Sequence, residues 1–360
     1  MNNKEYILDT TKTLFQTLAN MGVTYEEEDL TFDIIENHIT EVVKKLTLTD
    51  VSHRRELLLF DEYIYSNESQ HDVTCCTDLK NKTKIKNMNV LSLFDGMSCG
   101  QIALNKLGIK YNNYFASEID KYAIQVTQKN YPNTKQIGSV VDVKGEDLPK
   151  IDLLFGGSPC QSFSRVGDGS GFDGKSKLFW EFIRVIKETK PTYFLLENVV
   201  MKKEWEQVIT DALGVKPIAI NSRLVSAQNR PRLFWTNIPN IQQPKDLGLN
   251  IKDVVDADFS EAYPNYLDLE FSGKKRKDLV QLHTKKASCL TASMYKGQIS
   301  SFCKNENGEI YKYTPQDCEV LQTVPKNYTD CVSNTQRYKM LGNGWTVDVI
   351  AHIFKNISLT

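Results

Sequence analysis

The stretch N-V-L-S-L-F-D-G-M-S-C-G, residues 89–100, decides the fold, because a strand-like pattern and a helix-like pattern meet inside it. Residues 89–94 are a short apolar run that Asp95 and Gly96 interrupt. Past the turn, Ile102, Ala103, Leu104 and Leu107 recur at helical spacing until Gly108 stops them. The order is strand, glycine-bearing turn, helix, glycine stop. Working outward, a run at 114–117 ends in Glu118 and precedes a helix from Tyr122 to Gln128. A run at 151–155 ends in Gly156-Gly157, with a helix from Leu178 to Ile186 behind it. A run at 193–196 ends in Glu197 and leads into a helix over Glu204–Leu213, then late strands near 218–224 and 233–236. This alternation predicts an α/β fold, a mostly parallel doubly wound sheet with helices on both faces.

Such sheets bind ligands outside the carboxyl ends of their strands. The predicted ends carry Phe94-Asp95-Gly96, Glu118, Gly157-Ser158-Pro159-Cys160 and Glu197-Asn198, so one edge gathers a glycine turn, two carboxylates and a thiol. The turn lets backbone approach a ligand, and Glu118 stands at the second strand end to accept from ribose hydroxyls. Because G-x-G-x-x-G is incomplete, S-adenosylmethionine fits this adenosine-type site better than a dinucleotide. Cys160 opens a loop rich in serine and glycine, as expected of a nucleophile on a closing lid. Glu197, arriving after a very apolar run, can be partly desolvated and share a proton. Arg230 and Arg232, two apart around a strand start, are expected side by side, gripping a phosphate or a polarised base oxygen.

The composition sets outer limits. The chain has 360 residues, 41% of them hydrophobic, enough for one large domain or a core with a companion. No long apolar run and no basic-then-apolar start are present, which predicts a cytoplasmic protein without a membrane span. Eight cysteines without a paired C-x-x-C set argue against a disulfide scaffold and against a metal. Residues 1–88 carry 10 Lys+Arg against 16 Asp+Glu, a balance of −6 that leaves +5 for the rest. Residues 271–300 hold seven Lys+Arg and one Asp+Glu, including Lys274, Lys275, Arg276 and Lys277, with tyrosines interleaved. That pattern suits a polyanion.

In unbroken order over 89–356, these motifs resemble the cytosine-C5 DNA methyltransferases. F-D-G-M-S-C-G resembles that family's first cofactor motif, G-G-S-P-C-Q-S-F-S its nucleophile loop, L-L-E-N-V its Glu-Asn-Val element and Q-N-R-P-R its Gln-x-Arg-x-Arg element. Residues 288–298, 313–325 and 338–350 are similar to its closing motifs. The resemblance implies a Rossmann-like class I methyltransferase fold and a covalent reaction on a flipped cytosine. Cys160 would be the nucleophile, Glu197 would meet N3 and the amino group, Arg232 would meet O2, and Arg230 would support it. It implies S-adenosylmethionine held by Phe94, Asp95, Gly96, Met97, Ser98, Cys99, Glu118, Ile119, Ser139, Val140, Pro159, Leu178, Asn343 and Trp345. Double-stranded DNA would be held by Gln161, Ser164, Arg165 and the 274–277 cluster.

Domain boundaries follow: a helical accessory module with linker at 1–88, a catalytic domain at 89–239, a small target recognition region at 240–312, and a returning segment at 313–360. The amphipathic face through Ile34, Ile35, Ile39, Val42 and Val43 suits packing or a homo-oligomer. The wording is close to the de novo methyltransferase branch, while the Asn- and Lys-rich composition suggests a bacterium or phage. Ser139 stands where the family often has an aspartate for the adenine. A tRNA cytosine methyltransferase and a silent DNA-binding homologue remain open alternatives.

Overall fold

The computed structural model describes residues 88–159, 178–260, 265–268, 270–271 and 274–358, all within the compact unit Thr74–Thr360. Of the helical module and linker expected at 1–88, residues 1–87 lie outside the described residues, as do Cys160, Gln161, Ser164 and Arg165, and Met88 opens the first strand.

The central sheet has seven strands: β1 (Met88–Leu93), β2 (Tyr111–Ser117), β3 (Lys135–Gln136), β4 (Leu153–Gly157), β5 (Tyr193–Val199), β6 (Ile218–Asn221) and β7 (Pro231–Thr236). Their spatial order is β3-β2-β1-β4-β5-β7-β6. The first five run parallel, and β7 lies antiparallel to both β5 and β6. The strand order reverses between β1 and β4, where a doubly wound sheet opens its ligand crevice.

Both faces of the sheet are covered, which explains why its strands read as continuous apolar runs. Along β1, Val90 joins one core cluster while Leu91 and Leu93 join the other; along β4, Leu153 and Phe155 separate from Leu154 in the same way. The first cluster is completed by helices α1 (Cys99–Lys106), α2 (Lys121–Asn130), α6 (Asn334–Asn343) and α7 (Val347–Phe354). The second is completed by α3 (Phe179–Thr189) and α4 (Lys203–Leu213). Phe179 and Phe182 of α3 are fully buried, each contributing about 1.5–3 kcal/mol of transfer free energy. Asp120 caps α2 by accepting from the Tyr122 and Ala123 backbones.

Two expectations need correction. The strand expected over 218–224 ends at Asn221, whose side chain accepts from the Arg223 and Arg230 backbones and bends the chain into a 3₁₀ turn at Ser222–Leu224. The two-residue β3 was not expected at all, being too short to show a period.

Beyond Thr236 the chain forms 3₁₀ turns and short strands, among them Gln281–Leu282, Phe302–Lys304 and Ile310–Lys312, which share a sheet. A small core of Leu267, Val280, Phe302 and Ile310 holds this part together. Helix α5 (Pro315–Leu321) opens with a Thr314–Asp317 capping box. Glu319 of α5 is fully buried, accepting from Asn327 and Thr329 and pairing with Arg337 at 3.1 Å. Among the described residues, no helix is long and apolar enough to cross a membrane.

Candidate active site

The turn after β1 is an unusual piece of backbone. Phe94, Gly96 and Ser98 all take positive φ, at 57°, 59° and 64°. Glycine adopts this readily, whereas the other two side chains are strained there by roughly 1–2 kcal/mol each. Hydrogen bonds hold them. The Asp95 backbone donates to Ser117 O, Ser98 Oγ donates to Asp95 Oδ2 at 2.5 Å, Gln101 Nε2 donates to Ser98 Oγ, and Tyr114 OH donates to Asp95 Oδ1 at 2.7 Å. Burial pushes the Asp95 carboxyl up to about 6, and the nearby Glu118 charge adds to the rise against the three hydroxyl donors that lower it. At Gly100 a Cβ would stand 2.3 Å from the Phe155 ring, so α1 can lie on β4 only with glycine there.

Glu118 accepts three backbone N–H groups, from Gly96 at 2.7 Å, Ile119 at 2.7 Å and Asp120 at 2.8 Å. A carboxylate offers about four acceptor directions, so one remains for a ribose hydroxyl. Phe94, Val140 and Leu178, expected at the cofactor, belong to one apolar cluster, and Ile119, next to Glu118 in sequence, is 76% exposed. Ser139 precedes a 3₁₀ turn, with its side chain making no capping bond. Met97, Ser98 and Cys99, also expected at the cofactor, have buried side chains: Tyr328 OH donates to the Met97 backbone carbonyl, and the Cys99 thiol, pushed up to about 12 by burial, accepts from the Trp345 backbone.

The second part of the candidate site is built where β4 and β5 end and antiparallel β7 begins. Gly157 pairs in register with Glu197, and Asn198 Nδ2 donates to Ser158 Oγ at 3.1 Å, fixing the backbone that leads into Pro159. Glu197 is 8% exposed. Its Oε1 meets Arg232 Nε at 2.9 Å, and its Oε2 accepts from Trp345 Nε1 at 3.0 Å. With Arg230 and Phe234 these residues line a small cavity. Asn343, the last residue of α6, is exposed.

Arg230 corrects the expectation of two guanidinium groups facing one ligand. It lies just before β7, 3% exposed, and donates to the carbonyls of Leu290, Gly342 and Gly344 and to Cys289 Sγ. Those acceptors occupy its fork, so it ties the segment at Leu290 and the segment at Gly342–Gly344 to the central sheet. Cys289 has its sulfur 3.4 Å from Arg230 Nη1 and 3.8 Å from Arg232 Nη2. Only the Arg-x-Arg spacing hinted at a neighbour there. In the basic cluster Lys275 is exposed, whereas Lys277 pairs with Asp268 at 2.8 Å. Lys286 donates to the Arg223 and Ser226 carbonyls. Among the described residues, no group of three or more His, Cys, Asp or Glu is placed to hold a metal ion.

The chain is similar to known proteins over most of its length. The family model for C-5 cytosine-specific DNA methylases matches residues 88–271 and 240–359. The Type II methyltransferase M1.ScrFI of Lactococcus lactis subsp. cremoris is 29% identical over 301 residues, 74% of this chain and 77% of that protein. M.HhaI of Haemophilus parahaemolyticus is 26% identical over 323 residues, 78% of this chain and 97% of its own. Among solved structures, a DNMT2 mutant of Spodoptera frugiperda shares the fold with a TM-score of 0.62 at 18% identity, covering 75% of this chain and 99% of that one. The Entamoeba histolytica methyltransferase EhMeth does so at 0.61 and 19%, covering 75% and 98%. A Rossmann-like sheet, a turn of positive-φ residues at its switch point and a carboxylate–guanidinium pair at the neighbouring strand ends thus meet a family match over most of the chain: it belongs to the C-5 cytosine-specific DNA methylases, enzymes that use S-adenosylmethionine.

Proposed function

We propose that this enzyme methylates cytosine through a covalent bond from Cys160 to C6 of a base flipped out of duplex DNA. The observation that carries the reading is the Glu197–Arg232 pair, set in register beside Gly157 and therefore beside the segment leading into Cys160. Cytosine C5 is a poor nucleophile until something adds at C6. The Cys160 thiolate forms the Sγ–C6 bond, and the C5=C6 electron pair moves to C5. Arg232 receives the charge that develops at O2, while Glu197 holds N3 and the amino group. S-adenosylmethionine, when bound, supplies the methyl group. The C5 proton then leaves to solvent, its electron pair restores C5=C6, and the Sγ–C6 bond breaks to return the thiolate.

The chain's residues fit the cofactor. Glu118 keeps an acceptor direction for a ribose hydroxyl, Phe94, Ile119, Val140 and Leu178 supply apolar surface for an adenine, and Ser139 offers a hydroxyl. Pro159 and Asn343 complete the set, and Asp95 and Gly96 shape the turn. On the DNA side, Gln161, Ser164 and Arg165 hold the gap left by the flipped base, and Lys274, Lys275, Arg276 and Lys277 meet phosphates. Residues 1–88 form an accessory module that packs or oligomerises, 89–239 the catalytic domain, 240–312 the recognition region and 313–360 the returning segment. A bacterial or phage origin and a cytoplasmic location suit the bacterial relatives and the composition.

The test is Cys160→Ser, assayed for methyl transfer to duplex DNA and for S-adenosylmethionine binding. Turnover is expected to vanish while cofactor affinity stays within about threefold, because the thiol attacks the base alone. Methylation at near wild-type rate would remove Cys160 from the nucleophile's role.

A further inference from the structure

Trp345 reaches the carboxylate on which this reaction depends from 148 residues along the chain. Its indole Nε1 donates to Glu197 Oε2 at 3.0 Å, while Arg232 takes the other oxygen at 2.9 Å. One donor leaves a carboxylate free to turn about its last bond; a second donor on the other oxygen removes that freedom. The indole is itself fixed. Its ring lies 5.9 Å from that of Phe155, its backbone donates to Cys99, and the next residue, Thr346, donates to the fully buried Gln322 at 2.7 Å.

A second, independent feature concerns the end of β4. A Cβ on Gly157 would stand 2.9 Å from Glu197 Oε2 and 3.0 Å from Trp345 Nε1. The bond between indole and carboxylate therefore forms across bare backbone, in space that any other residue would fill. Resting on the reaction proposed above, we infer that Trp345 is a positioning residue that aims Glu197 at the cytosine ring, and that Gly157 keeps open the space in which it does so. This role is separate from any contact of the tryptophan with the cofactor.

The experiment replaces Trp345 alone with 3-benzothienylalanine, which puts sulfur in place of the N–H and keeps the ring's shape. With a charged acceptor at stake, kcat for methyl transfer should fall about tenfold while KM for S-adenosylmethionine stays within about twofold. Gly157→Ala, with the indole intact, should show the same split. In a Glu197→Ala background the Trp345 replacement should change kcat by less than about twofold, since two residues acting through one contact are not additive. Unchanged kcat, a loss confined to KM for S-adenosylmethionine, or full additivity with Glu197→Ala would overturn the positioning role and leave the reaction standing. Glu197→Ala at near wild-type rate would overturn the reaction scheme itself, and the inference with it.

Discussion

At one end of the sheet edge Glu118 accepts three backbone N–H groups, the most distant 22 residues away, whereas at the other end Glu197 is met by the side chains of Arg232 and Trp345, the latter 148 residues away. The first carboxylate is held by atoms that every residue possesses, and its geometry follows from the turn and strand end around it. The second exists as a site only once β5, β7 and the segment after α6 have come together. In the proposed reaction the carboxylate that binds the cofactor is thus built locally, while the one that aims at the cytosine ring is clamped by groups drawn from across the fold.

That contrast can be broken by exchanging each carboxylate for its amide. Glu197→Gln should lower turnover by on the order of 10²–10³, the cost typical of removing one electrostatic contact to a transition state, and leave cofactor affinity within about threefold. Glu118→Gln should do the reverse, weakening S-adenosylmethionine about tenfold and changing turnover at saturating cofactor far less. Steady-state kinetics with both substrates varied measures each. If both amides act on the same parameter, the division between a binding and a reacting end is wrong.

A smaller effect sharpens the comparison within the cofactor turn. Asp95 is raised from 3.8 to about 6 by burial, so the folded state prefers its neutral form. Below pH 3.8 both folded and unfolded chains carry the proton and the full stability is present. As pH rises towards 6 the unfolded chain releases the proton first, and this contribution to stability is lost, reaching a plateau above the folded value. The difference is roughly 2–3 kcal/mol, at about 1.4 kcal/mol per pH unit of separation. Asp95→Asn should flatten stability across that window relative to wild type, read by chemical denaturation at several pH values. An unchanged profile would mean that Asp95 is ionised in the folded turn.

The sequence carried more of the local half of this comparison than of the distant half. The first strand, turn and helix were readable because each changes period within a few residues, and Glu118 was readable because its distance from the turn is short. Glu197 and Arg232 could be singled out as residues. Their mutual contact could not, since it depends on β7 running antiparallel beside β5. Arg230 looks equivalent to Arg232 by spacing, but the carbonyls of Leu290, Gly342 and Gly344 claim it. Cys289 and the Trp345 indole carried no local signal of where they would stand, because long-range packing puts them there.

In the proposed reaction Cys160 bonds to cytosine C6 while Glu197 and Arg232 hold the ring. The most direct measurement incubates the enzyme and S-adenosylmethionine with duplex DNA carrying 5-fluorocytosine in the confirmed target, then maps the adduct by peptide mass spectrometry. Fluorine at C5 cannot leave as the proton does, so a denaturation-resistant complex is predicted, with the added mass on the peptide containing Cys160. Absence of the complex, or an adduct on the peptide containing Cys289, the sulfur the structure places beside Arg230 and Arg232, would contradict it.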